Sequence, residues 1–399
     1  MCFKPIFFLS MKFETQAIRT QVEKSKQREH SVPIFATTGF TFENTEQMRA
    51  LFAAEQEGNI YGRYTNPNCS EFEEKMALLE GYEKGISTSS GMAAVFAVVM
   101  GLLKQGDHLL CTKAVFGSTF QLVKDYFPKY GIETSFLLGT EVAEIEKHIK
   151  PNTKMILLET PSNPGLEIFD LEYIAQVGKK HNLITAVDNC FASPYLQRPK
   201  EFGIDISFHS ATKFIDGQGR VMGGMILMNK EHYDPIRGFV RNSGPTLSPF
   251  NAWVLSKSLE TLSVRMDRHC SNALALAKHL ATIPEIASVK YPFLENHPQY
   301  AIAKKQMKQG GGLVTIELKG GLEKGKQFID NLKMLSVAAN LGDTRTIVTH
   351  PASSTHFKMP EADRLSVGIL NGTVRISVGL EHIDDIIVDI EQAIKHSKP

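Results

Sequence analysis

The chain has 399 residues, 42% hydrophobic and 22% charged, which is ordinary for a globular protein of more than one domain. Its 44 Lys and Arg residues nearly balance 43 Asp and Glu residues, so no overall charge favours nucleic acid or an anionic membrane as a partner. The five cysteines are scattered singly, which excludes the close pairs of zinc and redox sites; no metal is predicted, and the reducing cytosol is the expected location.

The N-terminal residues do not resemble a targeting signal. Residues 1–10 are rich in apolar side chains, but Pro5 interrupts them and no small-residue cleavage site follows, so no signal peptide is predicted. Met11 remains an alternative start. No apolar run approaches the ~20 residues that a membrane helix requires, so no membrane span is expected.

A large α/β domain is predicted after an irregular arm. Residues 11–60 show no sustained period, as expected for a segment that lies on another surface. From about residue 70, Phe72, Met76 and Leu79 recur at helical spacing, and the run from Met92 to Leu103 is apolar nearly all round, as in a buried helix. Short apolar runs predict strands at 108–111, 134–138, 155–159, 183–188, 206–210 and 225–228. Helix-length stretches separate the earlier runs, which predicts an α/β fold with a mostly parallel central sheet flanked by helices.

A smaller α+β domain is predicted for the C-terminal part. Proline and glycine cluster between Gly244 and Pro249, and a long helical stretch over 251–280 follows. Strand candidates at 313–318 and 374–378, with helices around Lys326 and Ile387, complete the pattern. The chain is therefore divided into an N-terminal arm (1–62), a large domain (63–250) and a C-terminal small domain (251–399).

Polar residues follow three of the predicted strands, where ligands bind in open α/β sheets. Glu159 ends one strand, Asp188 the next, and Ser210, Thr212 and Lys213 follow a third. Taken singly, each is explained by a turn, a cap or a surface charge. Together they offer what pyridoxal 5'-phosphate (PLP) requires: a lysine that binds the aldehyde as an imine, a carboxylate that keeps the ring nitrogen protonated, and hydroxyls for the phosphate.

Two glycine-containing segments bear on the phosphate. Ser90, Gly91 and Met92 lie between a strand candidate and the buried helix, where free amide groups at a helix N-terminus can bind an anion. The run from Gly217 to Gly224 is similar to a dinucleotide loop, but a strand candidate rather than a helix follows it. It is interpreted as a loop near the cofactor.

The sequence resembles the Cys/Met-metabolism family of PLP enzymes, fold type I, from about Thr38 to the C-terminus. The most specific segment is SFHSATKFIDGQGRVMGG around Lys213. Supporting segments are YGRYTNPN from Tyr61, SSGMAA from Ser89, ETPSNP from Glu159, AVDN ending at Asn189 and VRISVGLE around Arg375.

The resemblance implies roles for the residues that bind the cofactor. Lys213 is the Schiff-base lysine and later transfers protons, Asp188 pairs with the ring nitrogen, and Gly91, Met92, Ser210 and Thr212 bind the phosphate. Tyr61 and Arg63 match residues that reach the phosphate of a neighbouring subunit. The arm is therefore expected to contact a neighbouring subunit in a homotetramer built from two catalytic dimers.

The resemblance also implies a substrate site. Arg375 matches the residue that binds the substrate carboxylate, a role suited to a planar guanidinium that makes two parallel hydrogen bonds. Asn163 and Asn340 match polar neighbours of the cofactor and of that carboxylate.

Phe116 in the segment VFGST is the informative departure from the family pattern, because many relatives carry a cofactor-stacking tyrosine there. Phenylalanine keeps the stacking face but has no hydroxyl to transfer a proton. A thiol leaving group benefits from a proton donor, whereas the carboxylate of an O-acylated homoserine departs without one. Ser118 likewise stands where methionine γ-lyases are expected to carry cysteine. Both departures favour γ-replacement on O-succinylhomoserine or O-acetylhomoserine, with sulfide as the nucleophile and homocysteine as the product.

Other readings remain open. Cysteine in place of sulfide would make the protein a cystathionine γ-synthase, and elimination would make it a methionine or cystathionine γ-lyase. A catalytically silent protein of the same fold is the alternative from another class. The sequence does not separate the two esters; Arg220, Gln218 and Arg49 are candidates for a distal succinyl carboxylate, although each has a simpler surface or loop role.

Overall fold

The computed structural model describes residues 11–397, which form two β-sheets covered by helices. The expectation that there is no signal peptide, and the alternative start at Met11, concern residues 1–10, which lie outside the described part. Within that part, the strands are β1 Lys84–Thr88, β2 His108–Thr112, β3 Glu133–Leu137, β4 Thr153–Glu159, β5 Ile184–Asp188, β6 Ile206–Ser210, β7 Gly224–Met228, β8 Ile286–Lys290, β9 Leu313–Leu318, β10 Ser336–Val337, β11 Ile347–Thr349 and β12 Thr373–Ser377.

Helices occupy most of the intervals between strands. The α-helices are α1 Phe13–Arg19, α2 Thr45–Phe52, α3 Pro67–Glu80, α4 Gly91–Leu102, α5 Gly117–Gln121, α6 Leu171–His181, α7 Ser193–Leu196, α8 Lys230–Ser243, α9 Pro249–Leu259, α10 Leu262–Leu280, α11 Tyr300–Gln306, α12 Gly321–Asp330, α13 Glu361–Ser366 and α14 Ile383–His396. Between β3 and β4 the connection is a 3₁₀ segment, Gly139–His148, rather than an α-helix.

The larger sheet has seven strands in the order β1-β7-β6-β5-β4-β2-β3. Strands β3, β2, β4, β5 and β6 run parallel, while β7 runs antiparallel to both β6 and β1. Strands β2 and β7 are buried at every residue, as expected where helices cover both faces of a parallel sheet. The predicted mostly parallel α/β sheet is confirmed, and each of its predicted strands lies within two residues of the observed one.

Apolar clusters fill both faces of this sheet. Ile206 and Phe208 pack with Val98 of α4 on one face, whereas Val187 packs with Ile174 of α6 on the other. Helix α4 is the apolar run predicted to be buried. The carboxyl ends of the parallel strands are thereby held at one edge of a rigid layer.

The smaller sheet has five strands in the order β10-β11-β12-β9-β8. Strands β11, β12, β9 and β8 pair antiparallel, and β10 pairs parallel with β11. The helices α10 and α14 cover it through Leu276, Ile386 and Ile390. The predicted second, smaller α+β unit is confirmed as a fold, because this sheet has its own apolar core.

Two local expectations differ from the structure. The arm is not wholly irregular: α1 buries Ala17 in the same core cluster as Phe72 of α3. The helical stretch predicted over 251–280 is broken between α9 and α10 at Thr261, whose backbone leaves the helical region. Helix α9 also places Leu255 in that cluster, so it packs on the large sheet's side of the molecule. The division at residue 250 remains a proposal.

Within residues 11–397, no helix is both long enough and apolar enough to cross a membrane.

Candidate active site

Three neighbouring parallel strands end in polar side chains at one edge of the large sheet. Strand β4 ends at Glu159, β5 at Asp188 and β6 at Ser210. Glu159 and Asp188 are paired in register, so the two carboxyl groups stand on adjacent strand ends. Such an edge is where ligands bind in open α/β sheets.

Lys213 lies in the turn after β6 and is partly buried. Its Nζ donates to Oδ1 of Asn340 at 2.6 Å, which joins the large sheet to the segment before β11. Burial lowers the pKa of the Lys213 amine, with nearby Arg375 acting in the same direction. A lowered pKa increases the fraction of neutral amine, the form that attacks an aldehyde.

The carboxyl groups of Asp188 and Glu159 are both largely shielded from water. Burial raises the pKa of each carboxyl group, and the charge of Asp188 raises the pKa of Glu159 further. Asp188 accepts a hydrogen bond from the backbone N–H of Cys190 at 3.0 Å, which opposes the shift. A cationic ring nitrogen opposite Asp188 would favour the ionised form of this carboxyl group. The ionised form is the one that can keep the ring nitrogen protonated.

The start of helix α4 forms a cradle against the ends of β6 and β7. Ser90 caps the helix by accepting a hydrogen bond from Ala93 N–H at 3.2 Å. A Cβ on Gly91 would lie 2.6 Å from the Cβ of Ser210, and one on Gly224 would lie 2.2 Å from the carbonyl oxygen of Ser90. Only glycine permits this approach, and the helix N-terminus that it brings in is a site for an anion.

Thr212 holds the glycine-rich segment beside this cradle. Its Oγ1 accepts from the N–H of Gly223 at 3.2 Å, so the loop between β6 and β7 turns back onto the lysine segment. A strand, β7, follows the loop, as predicted, so the loop does not have the strand–loop–helix context of a dinucleotide site.

Phe116 precedes helix α5 and is 45% exposed, a high value for a large apolar side chain beside buried carboxyl groups. Its backbone N–H donates to Oε2 of Glu159 at 2.6 Å. The side chain is therefore accessible beside Glu159, and a stacking role for its ring remains a proposal. Ser118 is in the first turn of α5 and is exposed.

Arg375 is 5% exposed in β12 and its guanidinium extends toward the large sheet. Its Nη1 donates to Oδ1 of Asn163 at 3.1 Å, and its Nη2 donates to the carbonyl of Asn340 at 3.1 Å and to Oγ1 of Thr349 at 3.3 Å. The buried Nε has no hydrogen-bond partner. All of these acceptors are neutral, so the guanidinium keeps its charge, and its Nε–H and the second N–H of Nη1 are left for a ligand.

The structure thus brings together most of the predicted site: Lys213, Asp188, Phe116, Ser90, Gly91, Met92, Ser210, Thr212, Asn163, Asn340 and Arg375. Tyr61 and Arg63 lie elsewhere. Tyr61 is 43% exposed, and Arg63 donates to the backbone carbonyl of Arg241 and lies 4.7 Å from the Tyr64 ring. Their role toward a neighbouring subunit remains a proposal.

Several residues of the site were not predicted to act there. The sequence predicts Glu159 as a strand end without a role in catalysis, and no sequence pattern distinguishes Thr349 or Cys190. Burial lowers the pKa of the His356 imidazole to about 4, and the charge of nearby Arg375 acts in the same direction. Thr349 lies on β11 directly opposite Arg375 of β12, and only the approach of the small sheet to the large one places these residues near Lys213.

Two arginines considered for a distal carboxylate already have acidic partners. Arg49 pairs with Glu46 and Glu55, each at 2.7 Å. Arg220 pairs with Asp216 at 3.0 Å. Neither charge is free for a substrate without breaking these pairs.

A group of potential metal ligands lies away from this site. Asp205, Glu231 and His232 bring ligand atoms within 4.8 Å of one another before β6 and at the start of α8. Asp205 already accepts two hydrogen bonds from Thr185. The group has no part in the arrangement around Lys213.

The residues present fit PLP. Lys213 offers an amine of lowered pKa, and Asp188 offers a carboxyl group on the neighbouring strand. The N-terminus of α4 offers backbone donors, which a side chain at position 91 would obstruct. Phe116 adds a face for the ring and Arg375 an incompletely bonded cation. Lysine, acid and anion site are the set that PLP chemistry needs.

Comparisons with known proteins agree with this fit. The sequence model of the Cys/Met metabolism PLP-dependent enzymes matches residues 14–395. An O-succinylhomoserine sulfhydrylase of Pseudomonas aeruginosa is 43% identical over 96% of this chain and 95% of its own. An L-methionine γ-lyase of Fusobacterium nucleatum is 42% identical over 96% of this chain and 97% of its own. A Campylobacter jejuni structure assigned as an O-acetylhomoserine (thiol)-lyase is 33% identical, with a TM-score of 0.93 over 96% of this chain and 100% of its own, and carries a pyridoxyl-lysine monophosphate.

Proposed function

Because the chain belongs to the Cys/Met metabolism family of PLP-dependent enzymes, we propose that it catalyses γ-replacement on an O-acylated homoserine with sulfide as the nucleophile. The γ-carbon loses the succinate or acetate as a carboxylate and gains the sulfur, so the product is homocysteine. This is a carbon–sulfur bond-forming transferase reaction of methionine biosynthesis. Relatives with similar identity carry the names of sulfhydrylases and of γ-lyases, so the choice between them rests on the site.

The choice between a sulfhydrylase and a γ-lyase depends on Phe116. This residue stands beside Glu159 at the cofactor edge and has no hydroxyl, so it cannot protonate a leaving thiolate. A carboxylate is a stable anion that departs from the γ-carbon without a proton. The site therefore favours acyl esters of homoserine over methionine or cystathionine.

Lys213 and Asp188 have the central roles in the proposal. PLP, when bound, supplies an electron-withdrawing ring that stabilises negative charge at the substrate α-carbon. Asp188 keeps the ring nitrogen protonated. Lys213 would hold the cofactor and, when its amine is free, would remove a proton from the α-carbon and then one from the β-carbon, so that the carboxylate can leave the γ-carbon. It would return both protons after the sulfur has added there. Its lowered pKa suits both directions of transfer.

The remaining residues bind and orient. Ser90, Gly91, Met92, Ser210 and Thr212 hold the phosphate through backbone N–H groups and hydroxyls. Arg375 binds the substrate α-carboxylate through the donors that its protein partners leave free, while Asn163 and Asn340 fix the guanidinium plane. Placing the carboxylate in this way sets the α-carbon against Lys213.

The assembly and location are part of the proposal. The chain is proposed to act in the cytosol as a homotetramer of two catalytic dimers, with Tyr61 and Arg63 of each arm completing the phosphate site of a neighbour. The exposed ring of Tyr61 is consistent with a surface that meets another subunit.

A γ-lyase is the second candidate, because a methionine γ-lyase is 42% identical to the chain. The test supplies the purified, PLP-loaded protein with each ester plus sulfide, each ester plus cysteine, and methionine or cystathionine alone. Homocysteine from an ester and sulfide, at a catalytic efficiency above the other reactions, is expected. Faster use of cysteine would identify a cystathionine γ-synthase, faster release of α-ketobutyrate a γ-lyase, and no turnover of any substrate a catalytically silent protein.

A further inference from the structure

Glu159 is a buried acid to which the reaction above gives no role. It ends β4, only 3% of its surface is exposed, and it stands beside Asp188 on the adjacent strand. A buried carboxyl group next to a second one is costly when ionised, so its presence here calls for a function.

One contact of Glu159 positions Phe116. Its Oε2 accepts the backbone N–H of Phe116 at 2.6 Å, immediately before α5 begins. This bond anchors the backbone that carries the ring. An oxygen acceptor is sufficient for the bond, whether or not the other oxygen carries a proton.

The charge of Glu159 also matters to Arg375. Every hydrogen-bond acceptor of that guanidinium in the described residues is neutral, namely Asn163 Oδ1, the Ala339 and Asn340 carbonyls and Thr349 Oγ1. The charge of Arg375 is thereby left for a ligand. An ionised Glu159 would neutralise part of it and compete with a substrate carboxylate.

We propose that Glu159 is a positioning residue that works as a neutral acid: it anchors Phe116, leaves Asp188 as the anion that faces the cofactor ring, and leaves the charge of Arg375 for the substrate carboxylate. The inference rests on the proposed function for the substrate that Arg375 binds. Two neighbouring carboxyl groups in different protonation states are a recurrent way to divide two roles.

The groups around Glu159 support this state. Burial raises the pKa of Glu159 well above its ordinary range and the charge of Asp188 raises it further, whereas the Phe116 N–H and Arg375 act in the opposite direction. The thiols of Cys111 and Cys190, which also face Glu159, have pKa values raised by burial and carry no charge at neutral pH. The Glu159 carboxyl group is therefore expected to ionise at a higher pH than an ordinary glutamate.

The first test compares Glu159→Gln with Glu159→Leu. Glutamine keeps an acceptor oxygen and no charge, so E159Q should lose about threefold or less in kcat/KM for the preferred ester, whereas E159L, which lacks the acceptor, should lose ~10²-fold. Glu73→Gln is a matched control, because Glu73 is a half-buried glutamate whose pKa is raised to about 7 by burial, and it lines a separate cavity with Arg237.

The second test measures charge directly. With rising pH the KM of the unaltered enzyme should rise as Glu159 ionises beside Arg375, and E159Q should lack this rise while E73Q retains it. The infrared spectrum of the holoenzyme at neutral pH should show a protonated-carboxyl band that E159Q lacks. This band is measured without turnover, so it remains readable if no acylhomoserine is a substrate, an outcome that would reject the proposed function alone.

Equal damage in E159Q and E159L, or a difference spectrum with no protonated-carboxyl band, would overturn the proposal. If E159Q does not fold, the infrared pH titration of the unaltered holoenzyme decides: loss of a carboxyl band in step with the rise in KM supports the neutral acid, and a KM rise without it rejects the idea.

Discussion

Burial sets the charge state of the residues at the strand ends. Lys213, Asp188 and Arg375 are charged groups in model peptides, yet here each has a pKa shifted toward its neutral form because little water surrounds it. A cationic ring nitrogen would complete Asp188, a substrate carboxylate would complete Arg375, and the aldehyde of a cofactor would react with Lys213. These shifts are the pattern of a binding site rather than of surface side chains.

The hydroxyl that Phe116 lacks should control the leaving group. In Phe116→Tyr the ring face is kept and a proton donor is added, so release of α-ketobutyrate from methionine should rise by at least ~10-fold, within the range of general acid catalysis. The measurement is α-ketobutyrate formation alongside homocysteine formation from the ester. Phe116→Leu, which removes the ring, should lower both reactions; an F116Y enzyme with no gain in elimination would show that leaving-group protonation does not limit this site.

The amide of Asn340 should set the pH at which Lys213 becomes reactive. Asn340→Asp places a carboxylate at the position now 2.6 Å from Nζ, which favours the ammonium and raises the Lys213 pKa. At a given pH less amine is then neutral, so the attachment of PLP to the apoenzyme should slow and its pH profile move to higher pH. The rate is followed by absorbance.

Asn340→Ala is the control for that change, because it removes the hydrogen bond without adding charge. The pH profile of N340A should lie at lower pH than that of N340D. Overlapping profiles for the two variants would rule out the electrostatic effect.

At the scale of elements, the site depends on how closely helix α4 approaches β6 and β7. Ser90 ends the extended segment and caps the helix, while glycines at 91 and 224 allow backbone contact. The helix N-terminus and the strand ends then present donors to one small volume. Polar strand ends alone would not bind a phosphate without this approach.

Gly91→Ala should test the cradle. The new Cβ would lie 2.6 Å from the Ser210 Cβ, and the overpacking should cost ~1–3 kcal/mol and separate the phosphate donors. The expected results are a lower melting temperature and at least ~10-fold weaker PLP binding by fluorescence titration, since charged hydrogen bonds contribute ~1.5–3 kcal/mol each.

Gly238→Ala is the matched control for helical glycine. A Cβ there meets nothing within 4 Å in helix α8, so PLP affinity should not change and stability should not fall. Similar PLP affinities in G91A and the unaltered protein would contradict the cradle.

At the scale of the molecule, both sheets of one chain contribute residues to the site, whereas Arg63 lies away from it. Lys213 and Asn340 join the two sheets through a hydrogen bond, and Arg375 reaches Asn163 across the same gap. Arg63 instead contacts Tyr64 and the Arg241 carbonyl. Its proposed role therefore requires a second subunit.

Mixing two inactive variants should test that sharing. In a dimer of Arg63→Ala and Lys213→Ala chains, one site has both an intact lysine and an intact arm from its neighbour, so co-expression should restore about a quarter of full activity under random pairing. Asp188→Ala mixed with Lys213→Ala should restore none, because both residues lie on the same chain's side of each site. Absence of recovery in the first mixture would confine Arg63 to its own chain.

The sequence by itself determined the strands of the large sheet, the buried helix α4 and the polar residues at the strand ends, because period, burial and turn chemistry are local properties. It also carried the family resemblance around Lys213. Those features suffice for the fold and for most of the residues proposed to surround the cofactor.

Only the tertiary structure decided which side chains meet and in what charge state. Glu159 acquires its environment from Phe116, Asp188 and Arg375, which come from three separate parts of the chain. Thr349 and His356 reach Arg375 in the same way. Hydrogen-bond partners and the exclusion of water depend on elements distant in sequence, so no local pattern could have revealed them.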